Sequence, residues 1–162
     1  MANAQLTTYL NDNLAGSLSA VELLDHLESV HTDTPLARFF AELRDDVTAD
    51  RQELKALMEY LQIAPSRPRQ MMAWITEKIA TLKLRMEDPD GASLQLLESL
   101  EVLSLGIEGK QNLWHALKAA AEDSPGLRRV NYERLAQRAE EQRRRVEVVR
   151  LNVARTVLRL DG

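Results

Sequence analysis

His31-Thr32-Asp33-Thr34-Pro35-Leu36 is the stretch on which the fold turns, because it is short, polar and flanked by two long apolar-periodic runs. Thr34 followed by Pro35 reads as an N-cap and first helical position. The hydroxyl can accept an orphan N–H, and Pro has no N–H to leave unpaired. Upstream, Leu6, Leu10, Leu14, Leu18, Val21, Leu24 and Leu27 recur at three and four and predict one long amphipathic helix. Downstream, Leu36, Phe40, Leu43, Val47, Leu54, Leu57 and Leu61 predict a second, which stops before Ala64–Pro65 because the residue before Pro is pushed out of the helical region. A junction this short makes the two helices an antiparallel hairpin.

The same reading extends outward. Prolines at 35, 65, 68, 89 and 125 are the natural breakpoints. From about Gln62 to Ala92 the chain reads as a long crossover holding one short helix around Met71–Met86, with Met72, Ile75, Ile79 and Leu82 on one face and Trp74 alongside. A third long helix starts near Asp90 or Ser93, runs through Leu96, Leu97, Leu100, Leu103, Ile107, Leu113 and Leu117, and ends by Ser124–Pro125–Gly126. A fourth runs from about Leu127 to Leu160, with Leu135, Ala139, Gln142, Val146, Val149, Val153 and Leu160 at heptad spacing. The expected fold is all-α: one domain over residues 1–162, two helical hairpins joined by one long crossover in a four-helix bundle.

Composition bounds the function. The 162 residues carry a formal charge of −4, 44% apolar and 28% charged side chains and no Cys. These proportions are ordinary for a folded domain and argue against disorder or a fibrous repeat. The missing Cys excludes disulfides, a thiol nucleophile and Cys-ligated zinc or iron–sulfur sites. The N-terminus lacks a signal-peptide pattern and no stretch reaches 18 uninterrupted apolar residues, so a cytoplasmic location and no membrane span are expected. There is no Gly-rich phosphate loop, no Gly-x-Ser-x-Gly elbow and no Ser or His with a partner at a telling catalytic spacing.

Charge is uneven. Residues 1–62 hold 4 basic and 11 acidic side chains, and residues 128–162 hold 10 and 5, every one of the ten being Arg. Such a helix could face nucleic acid or an anionic lipid surface. Interleaved Glu133, Glu140, Glu141 and Glu147, and the lack of aromatics among the arginines, argue instead for a solvated face paired with the acidic first hairpin.

A bundle of this connectivity that handles iron or manganese needs a Glu from each of two helices and a Glu-x-x-His pair from each of the other two. One literal match occurs, Glu28-Ser29-Val30-His31. It falls in the last turn of the first helix, about 15 Å along the axis from Leu18 near its middle. His26 and His115 have Leu23 and Asn112 three residues before them and complete no such pair. Trp74, Trp114, Met71 and Met72 read as core or interface rather than a cofactor edge.

Several segments resemble the ferritin-like superfamily, most nearly bacterioferritin. Leu10-Asn11-Asp12-Asn13-Leu14-Ala15-Gly16-Ser17-Leu18-Ser19-Ala20 is similar to that family's Leu-Asn-x-x-Leu-x-x-Glu-Leu-x-Ala, and Leu105-Gly106-Ile107-Glu108-Gly109 to its Leu-Glu-Leu-Glu-Gly. Asp45 to Thr48 with Ala49-Asp50-Arg51 stands where the family shows Glu-x-x-His-Ala-Asp-Arg, and Glu140-Glu141-Gln142-Arg143 where it shows Glu-Glu-Gly-His. The resemblance implies metal-ligand positions at Ser17, at Asp45 and Thr48, at Gly106, and at Glu140 and Arg143. Only Asp45 and Glu140 still offer a carboxylate, too few to hold two first-row metals. A register shift of one residue would offer Glu22, Glu98, Glu101 and Glu108 instead, without matching histidines.

The expectation is therefore a ferritin-like bundle with a degenerate metal site, no catalytic residues and no cofactor, acting as a non-enzymatic binding or oligomerising module. The alternative is an iron- or manganese-handling oxidase with non-standard ligands. Arg143 is expected to pair with carboxylates in the bundle centre, the alternative being a place on the bundle flank in solvent, as the heptad through Gln142 hints. Surplus apolar residues at the end of the fourth helix (Leu151, Val153, Ala154, Val157, Leu158 and Leu160) predict a homodimer.

Overall fold

The computed structural model describes residues 2–66, 77–82 and 92–160, and every regular element among them is helical. Four long helices dominate: α1 (Ala4–Val30), α2 (Pro35–Tyr60), α3 (Ala92–Asp123) and α4 (Tyr132–Val157). Each is about 40 to 50 Å long at 1.5 Å per residue. Residues 77–82 are also helical; the remainder of the short helix expected around Met71–Met86 lies outside the described residues, as do Met71, Met72 and Trp74.

Local chemistry sets the helix ends. Asn3 caps α1, its Oδ1 accepting from the Leu6 N–H at 2.8 Å. At the first junction Asp33 takes a left-handed conformation (φ 68°), which a short polar side chain tolerates. Thr34 is the N-cap of α2 and Pro35 opens the helix, as the sequence predicts, but the hydroxyl is spent elsewhere. It donates to the His31 carbonyl at 2.7 Å, an acceptor stranded beyond the end of α1. α2 ends before Pro65 exerts its effect. Ile63 N–H bonds to the Met58 carbonyl (2.9 Å) and Gln62 N–H to that of Glu59 (3.0 Å), with Gln62 left-handed at φ 58°. That is a Schellman cap, closed by apolar contact between Ile63 and Met58. The chain leaving it is tied back to α1 by the buried Asn11: its amide donates to the Ala64 carbonyl at 3.3 Å and its Oδ1 accepts from Ser66 N–H at 2.7 Å.

The start of the fourth helix differs from the sequence reading. Pro125–Leu127 forms a 3-10 turn, and α4 begins at Tyr132, capped by Asn131, whose Oδ1 accepts from Arg134 N–H at 3.1 Å. Leu127 is buried under the loop, and its carbonyl takes the Tyr132 hydroxyl at 2.6 Å. Burying Leu127 separately leaves residues 128–131 to form the connection, with Val130 packed against the first apolar cluster.

α1 packs on α2 and α3 on α4; α1 also touches α3, and α2 touches α4. Two apolar clusters fill the interior. The first joins Leu10 and Leu14, Leu54 and Leu57, Leu113 and Leu117, and Leu135. The second joins Leu24 and Leu27, Phe40 and Leu43, Leu96 and Leu100, and Val146. These memberships fix directions: within each hairpin the helices are antiparallel, and α2 and α3 point the same way. α2 finishes at the first cluster with Ile63, α3 begins at the second, and Ile79 packs into the second. No described helix is long and apolar enough to cross a membrane.

Candidate functional site

Between the two clusters the helices change character. α1 carries small residues there, Gly16, Ser17 and Ala20, between Leu14 and Leu23; α3 carries Gly106, Gly109 and Lys110; α2 carries Asp50; α4 carries Arg138 and Gln142. Small residues on α1 and α3 leave space, and polar residues on α2, α3 and α4 meet beside it.

The meeting point is Asp50, whose side chain is 1% exposed. Lys110 donates to its Oδ2, as does the Gln142 amide at 2.9 Å, while Arg138 reaches Oδ1 through Nε at 2.7 Å and through a second guanidinium nitrogen. Lys110 also donates to Gln142 Oε1. A carboxylate this buried is tolerated because both oxygens are filled by charge-assisted or amide donors. Two cations serve one anion. Burial pulls the Lys110 ammonium below the usual lysine range, with Asp50 opposing that fall and Arg138 adding to it.

Beside this network lies a cavity of about 310 Å³, walled mainly by apolar groups of α1, α2, α3 and the 77–82 helix. Leu23, Val47, Ile79, Leu103, Ile107 and Trp114 line it, with Asp12, Asp50, Arg51, Lys78 and Lys110 supplying charge. Its volume falls at the lower end of the range of small-molecule sites. The two α3 glycines help to open it: a Cβ built on Gly106 or Gly109 would meet nothing within 4 Å. Two donors on lining residues are orphaned. The Trp114 indole Nε1 and the Arg51 Nε are both buried without a hydrogen-bond partner.

Of the six positions carried over from the resemblance, Ser17 and Gly106 line this cavity, on facing helices. Ser17 spends its hydroxyl on the Leu14 carbonyl at 2.6 Å. The other four do not reach it. Asp45 is 76% exposed beside Arg44, and Thr48 is exposed. The inward positions of α2 are Val47 and Asp50, two residues further along. On α4 Gln142 is fully buried, as its heptad predicts, which turns Glu140 and Arg143 to the flanks. Arg143, 42% exposed, lies 3.4 Å from Glu140 on its own helix and does not enter the centre. The expected central cation exists, but it comes from Lys110 and Arg138. The sequence does carry their signal: Asp50, Lys110 and Gln142 each interrupt an apolar stripe, between Val47 and Leu54, Ile107 and Leu113, and Ala139 and Val146.

The remaining candidates are engaged elsewhere. Glu28 accepts from Arg44, and His31 packs against the Phe40 ring at 5.8 Å, burial lowering its pKa. Glu22, Glu101, Glu108 and His115 are exposed, and Glu98 and His26 half-buried. Among the described residues no three His, Asp or Glu side chains are placed to share a metal ion. At the waist the buried carboxylate of Asp50 is already filled by two cations and an amide. Three of the α4 arginines face the acidic hairpin, whereas Arg143 and Arg144 pair with Glu140 of their own helix and Arg150 with Glu147 and with Glu101 of α3. Arg134 pairs with Glu53 at 3.1 Å, Arg138 with Asp50 and Arg145 with Asp46.

No protein-family model, curated protein or solved structure matches the chain.

Proposed function

We propose that this chain is a ferritin-like four-helix bundle without a di-metal centre, acting as a non-enzymatic module that binds a small molecule in the cavity at its waist. The parallel course of α2 and α3 supports the long crossover of that fold, since the chain joining two parallel neighbours of a bundle has to return along its length. The observation that carries the binding reading is the apolar cavity of about 310 Å³ beside the saturated Asp50. Small α1 and α3 residues hold open space that a bundle stabilised by packing alone would fill. Asp50 has no free lone pair with which to act as a base, so the site is suited to holding a molecule rather than transforming one.

Two measurements test this reading. Protein purified without chelator should hold iron and manganese far below one atom per chain, and a neutral environment-sensitive dye should bind once per chain and quench Trp114. Stoichiometric iron or manganese would overturn it in favour of an oxidase with non-standard ligands; a dye that binds only at high ratio and equally well to a Gly106→Leu variant would overturn the cavity as its binding site.

The same proposal includes self-association as a homodimer. Besides the inward stripe of Val146, Val149 and Val153, α4 presents Val148, Leu151 and Leu158 outward at three- and four-residue multiples, 62%, 42% and 63% exposed. A second copy would cover that stripe. Sedimentation at micromolar concentration should show twice the 18.4 kDa of the chain, and a Leu151→Glu, Leu158→Glu variant should sediment as monomer. Identical sedimentation of the two as monomers would remove the dimer.

A further inference from the structure

The charges around the waist cavity do not balance. Asp50 is shared by Lys110 and Arg138, so that cluster keeps a net positive charge. Lys110 uses two of its three N–H donors, on Asp50 and Gln142. Arg51 lies one residue along α2 from Asp50 and lines the cavity, and among the described residues its guanidinium has neither an ion pair nor a hydrogen bond, its Nε being buried without an acceptor. A half-buried guanidinium without an acceptor is costly unless an anion meets it. Asp12, the other carboxylate on the lining, forms no ion pair with it.

Apart from its charged residues the cavity lining is apolar, with Val47, Leu103, Ile107 and Trp114 among its walls. At about 30 Å³ for a small group, its 310 Å³ takes about ten non-hydrogen atoms. An inorganic anion would satisfy Arg51 and leave the space empty. A neutral hydrocarbon would fill the space and leave Arg51 unpaired.

We propose that the occupant is a single-chain amphiphilic anion of about ten carbons, its head paired with the Arg51 guanidinium and its tail lying between α1 and α3. The inference rests on the cavity being a binding site, and it assigns the class of molecule. A carboxylate and a phosphate monoester each present two acceptor oxygens that the fork of an arginine can bind bidentately. The head is thereby held by Arg51 while the tail removes apolar wall from water.

The test is calorimetric titration of the full chain with decanoate, decanol and decyl phosphate, each below the concentration at which it forms micelles. Decanoate should bind once per chain and at least tenfold more tightly than decanol. Arg51→Gln should weaken decanoate about tenfold and leave decanol unchanged, with helicity by circular dichroism preserved. Gly106→Leu, which has room for its side chain, should abolish both. Decyl phosphate binding more tightly than decanoate assigns the head to a phosphate monoester, and weaker binding assigns it to a carboxylate; either supports the proposal. Equal affinity for decanoate and decanol, unaltered by Arg51→Gln, would overturn the anionic head while leaving the cavity as a binding site. Failure of all three ligands to bind would overturn both.

Discussion

Asp50→Ala is expected to destabilise the protein by about 3–5 kcal/mol, the cost of removing one partner from a buried charge cluster. The wild-type carboxylate accepts from Lys110, from the Gln142 amide and twice from Arg138. Alanine leaves the Lys110 ammonium, 13% exposed, and the fully buried Gln142 facing each other with a hole between them. Arg138, 29% exposed, can turn its guanidinium to water and recover hydration; Lys110 has less room to do so. Against a total stability of about 5–15 kcal/mol such a loss is decisive. Urea denaturation should show the midpoint falling with little change in slope. Arg143→Ala is the control, because its pair with Glu140 is solvent-exposed and its loss should cost under about 1 kcal/mol. Replacing the cluster together (Asp50→Leu, Lys110→Met and Gln142→Leu) should restore most of the stability, as apolar substitutes for buried ion groups commonly do. A loss below about 1 kcal/mol for Asp50→Ala would mean that water already serves the cluster.

The helix spans and hairpins were legible because apolar residues at three and four reach the core from one face, and because Thr34–Pro35 can do little but open a helix. Gln142 was legible for the same reason, its place in the heptad overriding its polarity. The charged centre was less so. Short segments similar to a family fix the order of helices but not the rotation of each about its axis, and on α2 a shift from Asp45 to Asp50 moves the carboxylate from solvent to core. Apolar periodicity decides that rotation: Asp50 continues the stripe of Val47 and Leu54, and Asp45 does not. The cavity was hidden for a different reason. It is made of absences, the small side chains of Gly16, Ala20, Gly106 and Gly109, each ordinary in a helix taken singly. Only when α1 and α3 face one another does the missing volume add up, beside an Arg51 that is unpaired among the described residues and that a helical wheel would assign to the solvated flank.

Trp114→Ala should carry a loss of similar size, about 3–5 kcal/mol, from volume rather than charge. Trp114 is 1% exposed and, among the described residues, is the largest side chain buried to that degree. It belongs to the first apolar cluster and stacks on Tyr132, ring centroids 6.4 Å apart, so it ties α3 to the start of α4. It is also a wall of the cavity. Truncation there adds the new hole to a space already present, and neighbours without contacts on one side cannot collapse inward to close it. Trp114→Phe separates the two contributions of the indole. It keeps most of the apolar area and removes an Nε1–H that is buried without a partner, so the loss of ring is offset by the removal of an unsatisfied donor. Denaturation should place Trp114→Phe within about 1.5 kcal/mol of wild type and Trp114→Ala well below it. Equal, large losses for both would show that the indole nitrogen holds a hydrogen bond in solution and that the orphan donor at the cavity is filled.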